Sequence, residues 1–294
     1  VDNNDPILGF FHGWLKAFSG RFEVLTVICL GQGKFDLPAN VKVLTLGKEV
    51  GVSKLTYICR FYAYIWRERR NYDAVFVHMN QEYVLLGSVC WFLMGKRIYM
   101  WRNHPDGTVL TSLAALFSRK VFYTSPKSYT ARFNSPRRSL WRSAGKAVQM
   151  PVGIDTSFFR PDPSVVRIPG SVLFLGRVSP IKKVLEFMDW VETTDYTATI
   201  AGPIGDKEYG DKMMKRLSDK IKYVGPVNQN EALKLFQTHE IYVNKTPAGS
   251  FDKTIVEAAA AGCKLMVDNP AAQAINPQEH SLDRLVEKLA KELS

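Results

Sequence analysis

Long hydrophobic runs, paired cysteines and metal-ligand spacings are what this chain of 294 residues lacks. Its longest nearly apolar stretch, Tyr83 to Gly95, falls short of the roughly 20 residues needed to cross a bilayer. Cys29, Cys59, Cys90 and Cys263 are scattered, with no close pair for zinc or redox chemistry, so a reducing cytoplasm is the expected setting. No His, Cys and carboxylate cluster has metal spacing, and no Asp-x-Asp occurs, so neither a metal nor a cofactor is expected. The Gly-x-Ser-x-Gly elbow of many hydrolases and the Walker loop are both absent. The opening Val-Asp-Asn-Asn-Asp-Pro reads as neither a signal nor a transit peptide. Asn244-Lys-Thr246 matches a glycosylation sequon, which without a secretion signal is read as chance.

What is present begins with charge. Residues 1–150 carry 21 Lys and Arg against 9 Asp and Glu, a net of +12, whereas 151–294 carry 18 against 19, a net of −1. The first half is therefore expected to face something anionic: a membrane surface, a phosphorylated acceptor or nucleic acid. Nucleic acid ranks last, because no zinc spacing or aromatic RNA-binding signature accompanies the charge. Tyr57 to Arg70 mixes aromatics with Arg60, Arg67, Arg69 and Arg70, which fits an interfacial helix or a core-packed helix with a solvated basic end. Ser135 to Arg142 is a second basic, aromatic patch open to the same two readings.

Hydrophobic periodicity predicts alternating helices and strands. Leu8 to Phe18 reads as an amphipathic helix with Leu8, Phe11, Leu15 and Phe18 on one face. Strands are expected at Phe22–Leu30, Val41–Leu46, Ala74–His78, Arg97–Trp101 and Val121–Thr124, with helices at Lys54–Tyr72, Glu82–Met94 and Thr111–Ser118. The rhythm resumes at Val172, with strands at 197–201, 221–224, 240–243 and 264–267. Such alternation implies parallel sheets covered by helices, here in two domains, 1–152 and 153–294. A sheet of this kind normally opens with an apolar strand, but this chain opens with a loop and a helix. We therefore expect an N-terminal truncation, or else a rearranged sheet edge; a missing central strand would leave its neighbours unpaired.

Two segments carry chemistry. Lys245 to Cys263 runs from a loop (Pro247, Gly249, Ser250) into a small-residue helix bearing Glu257, and backbone N–H groups at a helix start favour anionic oxygens. Ser171 to Lys183 reads as a buried strand, a turn at Gly176, then a loop with Arg177, Lys182 and Lys183. A planar guanidinium fork beside a compact ammonium suits a diphosphate.

Together the two segments resemble the family-four retaining glycosyltransferases of the GT-B fold, in which two Rossmann-like domains face each other across a cleft. Gly153 to Pro161 is similar to that family's interdomain segment, and Ile200-Ala-Gly-Pro203 and Tyr223-Val-Gly-Pro-Val227 to its later strand-to-loop turns. The resemblance implies retaining, metal-independent transfer from a nucleotide sugar to a glycan or lipid-linked acceptor. Apart from the resemblance, the scattered cysteines place the work in the cytoplasm, and the basic first half makes peripheral contact at the inner membrane face an expectation. Arg177 and Lys182 are expected on the diphosphate, with Gly176, Gly202, Val227, Gly249, Ser250, Phe251, Asp252, Lys253 and Glu257 around the donor. Glu257 matches the residue that accepts from the ribose hydroxyls. His104, after the strand Arg97–Trp101, matches a His near the transferred sugar; Asn4 and His12 would lie on the acceptor side. Two departures stand out: Lys183 replaces a frequent Gly, and Gly249 replaces the first of two carboxylates. For the second, Asp252 or the N–H groups of Ser250 to Lys253 are the candidate substitutes. The alternatives are a nucleotide-sugar epimerase and a non-catalytic GT-B domain that binds nucleotide sugar or glycan as a partner subunit.

Overall fold

The computed structural model describes residues 1–3, 5, 8–134, 145–247 and 251–293. They form two compact units: Val1–Asn3, Phe11–Pro151 and Asp283–Ser294 in the first, Asn4–Phe10 and Val152–Leu282 in the second. Asn4, Gly249, Ser250 and the basic patch from Ser135 to Arg142 lie outside the described residues.

The first unit contains α1 (Phe10–Ser19), β1 (Leu25–Cys29), β2 (Val41–Thr45), α2 (Lys54–Arg67), β3 (Ala74–His78), α3 (Gln81–Leu93), β4 (Arg97–Trp101), α4 (Val109–Phe117), β5 (Lys120–Tyr123) and β6 (Ala147–Gln149). All its strand pairs are parallel, but they fall into two sheets, β1–β2 and β3–β4–β5–β6. Among the described residues, β1 pairs only with β2, and β3 only with β4. Every residue of β1 and β3 keeps intermediate exposure, whereas β4 and β5 bury all but their first residue.

Alternation along the strands serves two layers. Val75, Val77, Ile98, Met100, Val121 and Tyr123 share a core with Phe61 and Ile65 of α2, Val84 and Trp91 of α3 and Ala114 of α4. Phe76, His78 and Trp101 alternate with that set and meet the aromatics of α1: Phe18 lies 6.3 Å from Phe76, and Trp14 lies 5.6 Å from His78 and 5.3 Å from Trp101. The packed stripe of α1 is thus Phe11, Trp14, Leu15 and Phe18, and Leu8, expected on it, is 56% exposed outside the helix. α2 also ends five residues before the expected Tyr72. Glu68 turns inward there to meet Lys42 at 2.8 Å and Arg67 at 2.9 Å, which hold its carboxyl down to about 2.

The second unit contains β7 (Ile168–Leu175), α5 (Val184–Glu192), β8 (Thr197–Ala201), α6 (Lys207–Met214), β9 (Ile221–Tyr223), α7 (Gln229–Thr238), β10 (His239–Asn244), α8 (Lys253–Ala260) and β11 (Lys264–Val267). Its five strands form one parallel sheet in the order β11-β10-β7-β8-β9. Val172, Phe174, Ile200, Ile241 and Val243 pack with α5 and α6 on one face. Leu173 and Tyr242 pack with α7 and α8 on the other. Local chemistry starts the helices: Asp206 accepts from the Tyr209 N–H ahead of α6, and Asn228 and Glu231 form a capping box for α7.

The final helix, α9 (Leu282–Leu293), corrects the boundary read from the sequence. Asp283 onward groups with the first unit rather than with 153–294. Leu285, Val286, Leu289 and Leu293 are buried along one stripe; Lys288 donates to the Gln149 carbonyl at 2.7 Å and Glu292 faces Lys120 at 3.8 Å.

Candidate functional site

The winding of the second unit singles out one place. From the central β7 the chain moves outward through β8 to β9, then returns to lay β10 and β11 on the opposite side. The carboxyl ends of β7 and β10 therefore flank a topological switch point, where open α/β sheets bind ligands. Both chemistry-bearing segments begin there, one after Leu175 and the other after Asn244.

After β7 the backbone makes a tight passage at Gly176. A Cβ on Gly202, whose φ is +132, would stand 2.1 Å from the Gly176 carbonyl oxygen, so glycine at 202 lets the two loops touch. Gly205 acts likewise for Arg177: a Cβ there would come within 2.3 Å of the arginine Cδ. The exposed guanidinium of Arg177 is thus carried on a stem laid across Gly205. Val178 donates to the Pro203 carbonyl at 2.9 Å and accepts from Gly205 at 3.0 Å, holding the same pair of loops together. Lys183 sits at φ 53 and ψ 46, the left-handed region. That conformation explains why a glycine suits this position.

Lys182 and Asp252 join the two segments. Their side chains meet at 2.5 Å, with 20% and 15% exposure. Asp252 also accepts from Asn244 Nδ2 at 3.0 Å and Thr246 Oγ1 at 2.7 Å. Burial alone would raise its carboxyl, but the charge of Lys182 and these hydrogen bonds outweigh that and hold it below the ordinary range. Behind it, Tyr242 bridges the Thr254 hydroxyl at 2.7 Å and the Asn244 amide at 3.2 Å. Asp252 stands at the start of α8, yet it makes no side-chain cap there; its carboxylate is turned toward Lys182 instead.

Glu257, on α8, is 5% exposed and pairs with Lys253 one turn earlier at 2.9 Å. Ala258 and Ala261 are fully buried, which lets α8 lie close against its neighbours. Phe251 packs on His280 with ring centroids 5.2 Å apart, and Val227 is half-buried against the same core as Phe251. The structure thus brings Gly176, Arg177, Gly202 and Lys182 together with Asp252, and sets Phe251, Lys253 and Glu257 on the adjoining segment.

His104 and His12 belong to the first unit. The exposed His104 follows β4, and its Nδ1 accepts from the Asp106 N–H at 3.0 Å. His12 on α1 accepts from the Asp36 N–H through Nε2 at 3.0 Å; burial, then the charge of Lys16, lowers its pKa. Its ring braces the loop after β1. Among the described residues no three His, Cys, Asp or Glu groups converge to hold a metal, and no helix is long and apolar enough to cross a membrane.

Three residues escape sequence reasoning. Asn244 and Thr246, read as a chance sequon, are 4% and 2% exposed and supply two of the donors to Asp252. Gly205 follows the Ile200–Pro203 turn, and only its distance to Arg177 reveals its role.

No family profile matches the chain, and no curated protein matches its sequence. Solved structures do. HepE of Anabaena in complex with UDP aligns over 99% of this chain and 98% of its own, with a TM-score of 0.74 at 16% identity. The chain has the GT-B fold. Sucrose-phosphate synthase from Thermosynechococcus elongatus aligns over 100% and 93%, with a TM-score of 0.69 at 12% identity. AviGT4, a glycosyltransferase involved in avilamycin A biosynthesis, aligns over 95% and 86%, with a TM-score of 0.64 at 14% identity. At such identities the likeness is one of fold.

Proposed function

We propose that this GT-B protein is a retaining, metal-independent glycosyltransferase that moves a hexosyl group from a nucleotide sugar to a glycan or lipid-linked acceptor. The observation that carries the reading is the meeting of the Gly176–Lys183 loop with the Phe251–Glu257 segment at the switch point of the second unit. Glycosyl transfer requires a departing diphosphate to be stabilised and the sugar to be held; oriented cations supply the first. Arg177 and Lys182 take that role, and the buried Glu257 accepts from the ribose hydroxyls. Gly202 and Val227 border the nucleoside, while Phe251, Asp252 and Lys253 border the sugar, together with the N–H groups that begin α8. In this reading His104 is assigned to the transferred sugar, and Asn4 and His12 are assigned to the acceptor. The UDP in the HepE structure and the UDP-glucose in an α-glucosyltransferase of similar fold support a nucleotide-sugar donor.

A second reading, a GT-B domain that binds nucleotide sugar without turning it over, draws on two observations. Gly249 stands where the resembled family has its first carboxylate, and Lys182 is already neutralised by Asp252. Nucleotide release from a panel of UDP-, GDP- and ADP-sugars decides between the two. Transfer predicts release with one base; binding in calorimetry without release selects the second reading. Arg177→Ala and Lys182→Ala are each expected to weaken nucleotide-sugar binding by about 1.5–3 kcal/mol, the scale of a charge-assisted hydrogen bond. Unchanged affinity in folded variants would remove both residues from the diphosphate.

A further inference from the structure

The helices α3 and α4 pack side by side on one face of the β3–β6 sheet, and each is apolar on both sides. Their inner faces bury Val84 and Trp91, and Ala114 and Ala115. Their outer faces carry a second stripe at helical spacing: Val89, Phe92 and Leu93 at 64%, 80% and 78% exposure on α3, and Leu110, Leu113 and Phe117 at 51%, 38% and 49% on α4. A helix apolar all round belongs inside something, and α3, at 13 residues, is too short to span a bilayer. A contiguous exposed patch of this kind marks a contact surface.

Charge names the occupant. Both helices lead into parallel strands, so their carboxyl ends lie at the same end of the sheet, where Lys96, Arg97, Arg119 and Lys146 follow or adjoin them, while Lys120 there faces Glu292 of α9. Lys146 donates to the Leu116 and Ser118 carbonyls at the end of α4, and Lys96 to the Tyr72 carbonyl, so two of these ammonium groups are pinned at the rim. No Asp or Glu occurs from Tyr83 to Pro105 or from Gly107 to Ile154. An apolar stripe edged by fixed cations matches the acyl and phosphate layers of an anionic lipid surface. The basic end of α2 serves less well: Arg67 pairs with Glu68, and Arg69 folds back over Trp66 at 4.4 Å.

We propose that the outer face of α3 and α4 docks the protein on an anionic bilayer, its apolar stripes at the acyl boundary and its basic rim at the lipid phosphates. This stands independently of the transfer reaction, since nucleotide binding is read from the second unit.

Flotation with phosphatidylcholine vesicles, with and without phosphatidylglycerol, tests it on the whole chain. Binding is expected to the anionic vesicles and to fall with salt. The double variant Phe92→Asp, Leu113→Asp should lower the bound fraction about tenfold or more, with thermal unfolding unchanged because both sites are exposed. Arg67→Glu, Arg69→Glu, Arg70→Glu together should lower it far less. Separately, brominated acyl chains should quench the fluorescence of the Phe92→Trp variant more than that of the parent, a readout that survives even if the double variant misfolds. Equal partition into neutral and anionic vesicles, or no extra quenching of the Phe92→Trp variant over the parent, overturns the proposal. So does a concentration-dependent dimer abolished by the double variant without vesicle binding, which would make the face a contact between copies.

Discussion

The two units are built from the same materials, parallel strands with helical crossovers, yet their outer helical faces differ. In the second unit α5 and α7 expose no large hydrophobic side chain, and Phe187 on α5 is fully buried. In the first, Phe92 on α3 is 80% exposed and Phe117 on α4 is 49% exposed. Their inner faces are alike, because each must cover an apolar sheet. The fold therefore demands only the inner face, and the outer stripe of the first unit answers to something other than folding. The sheets differ as well: five strands run unbroken in the second unit, whereas β1 and β3 of the first lie in separate sheets. The unbroken sheet is the one whose switch point assembles the ion-paired loop cluster.

Substitutions can break this comparison. Phe187→Ala should cost about 3–5 kcal/mol in denaturant unfolding, the range for a deleted core aromatic. Phe92→Ala should stay within about 0.5 kcal/mol, as at an ordinary surface site. Equal losses would erase the distinction between the two helical layers.

The ion pair of the second unit gives the next effect. Lys182→Ala leaves the Asp252 carboxylate without its cation, and at 15% exposure that should cost about 2–3 kcal/mol, below the range for a wholly buried pair. Because the Asp252 pKa is depressed on folding, its contribution is present above the ordinary Asp range and fades as pH falls through the lowered value. An unfolding curve for Lys182→Ala that matches the parent at neutral pH would show the pair to be incidental.

In the first unit, burial lowers His78, beside Phe11, Trp14 and Trp101, to about 4. The unfolded chain takes up this proton first, so stability should fall as pH drops from about 6.5 toward 4, by on the order of 2 kcal/mol at this half-buried site. His78→Phe should flatten that slope. Calorimetric scans in which the variant keeps the parent's pH dependence would assign the slope to other groups.

The smallest effect tests the left-handed residues, Met79 after β3 and Lys183 before α5. Lys183→Gly should gain about 0.5 kcal/mol, the left-handed penalty less the entropy glycine loses on folding. A loss instead would mean that the Lys183 side chain stabilises the loop.

Much of the fold is legible in the sequence because strands here are short apolar runs bounded by turns. β3 and β4 run over Ala74–His78 and Arg97–Trp101 as expected, and β8 over 197–201. β6 is not, since three residues beyond a basic stretch carry no periodicity. Of the site, Arg177, Lys182 and Glu257 are visible through their spacing around Gly turns and a small-residue helix. The partner of Lys182 is not, because Asp252 lies seventy positions away and only the adjacency of β7 and β10 brings it within 2.5 Å.

The order of helices and strands, their parallel pairing and the excess of positive charge in the first half follow from local runs of residues, so the sequence by itself determined them. Tertiary structure alone decided which helical face meets solvent, that α9 returns to the first unit, and that Asn244, Thr246 and Lys182 close on one carboxylate. Those outcomes depend on which distant segments pack together, and hydrophobic periodicity marks a buried face without naming what buries it.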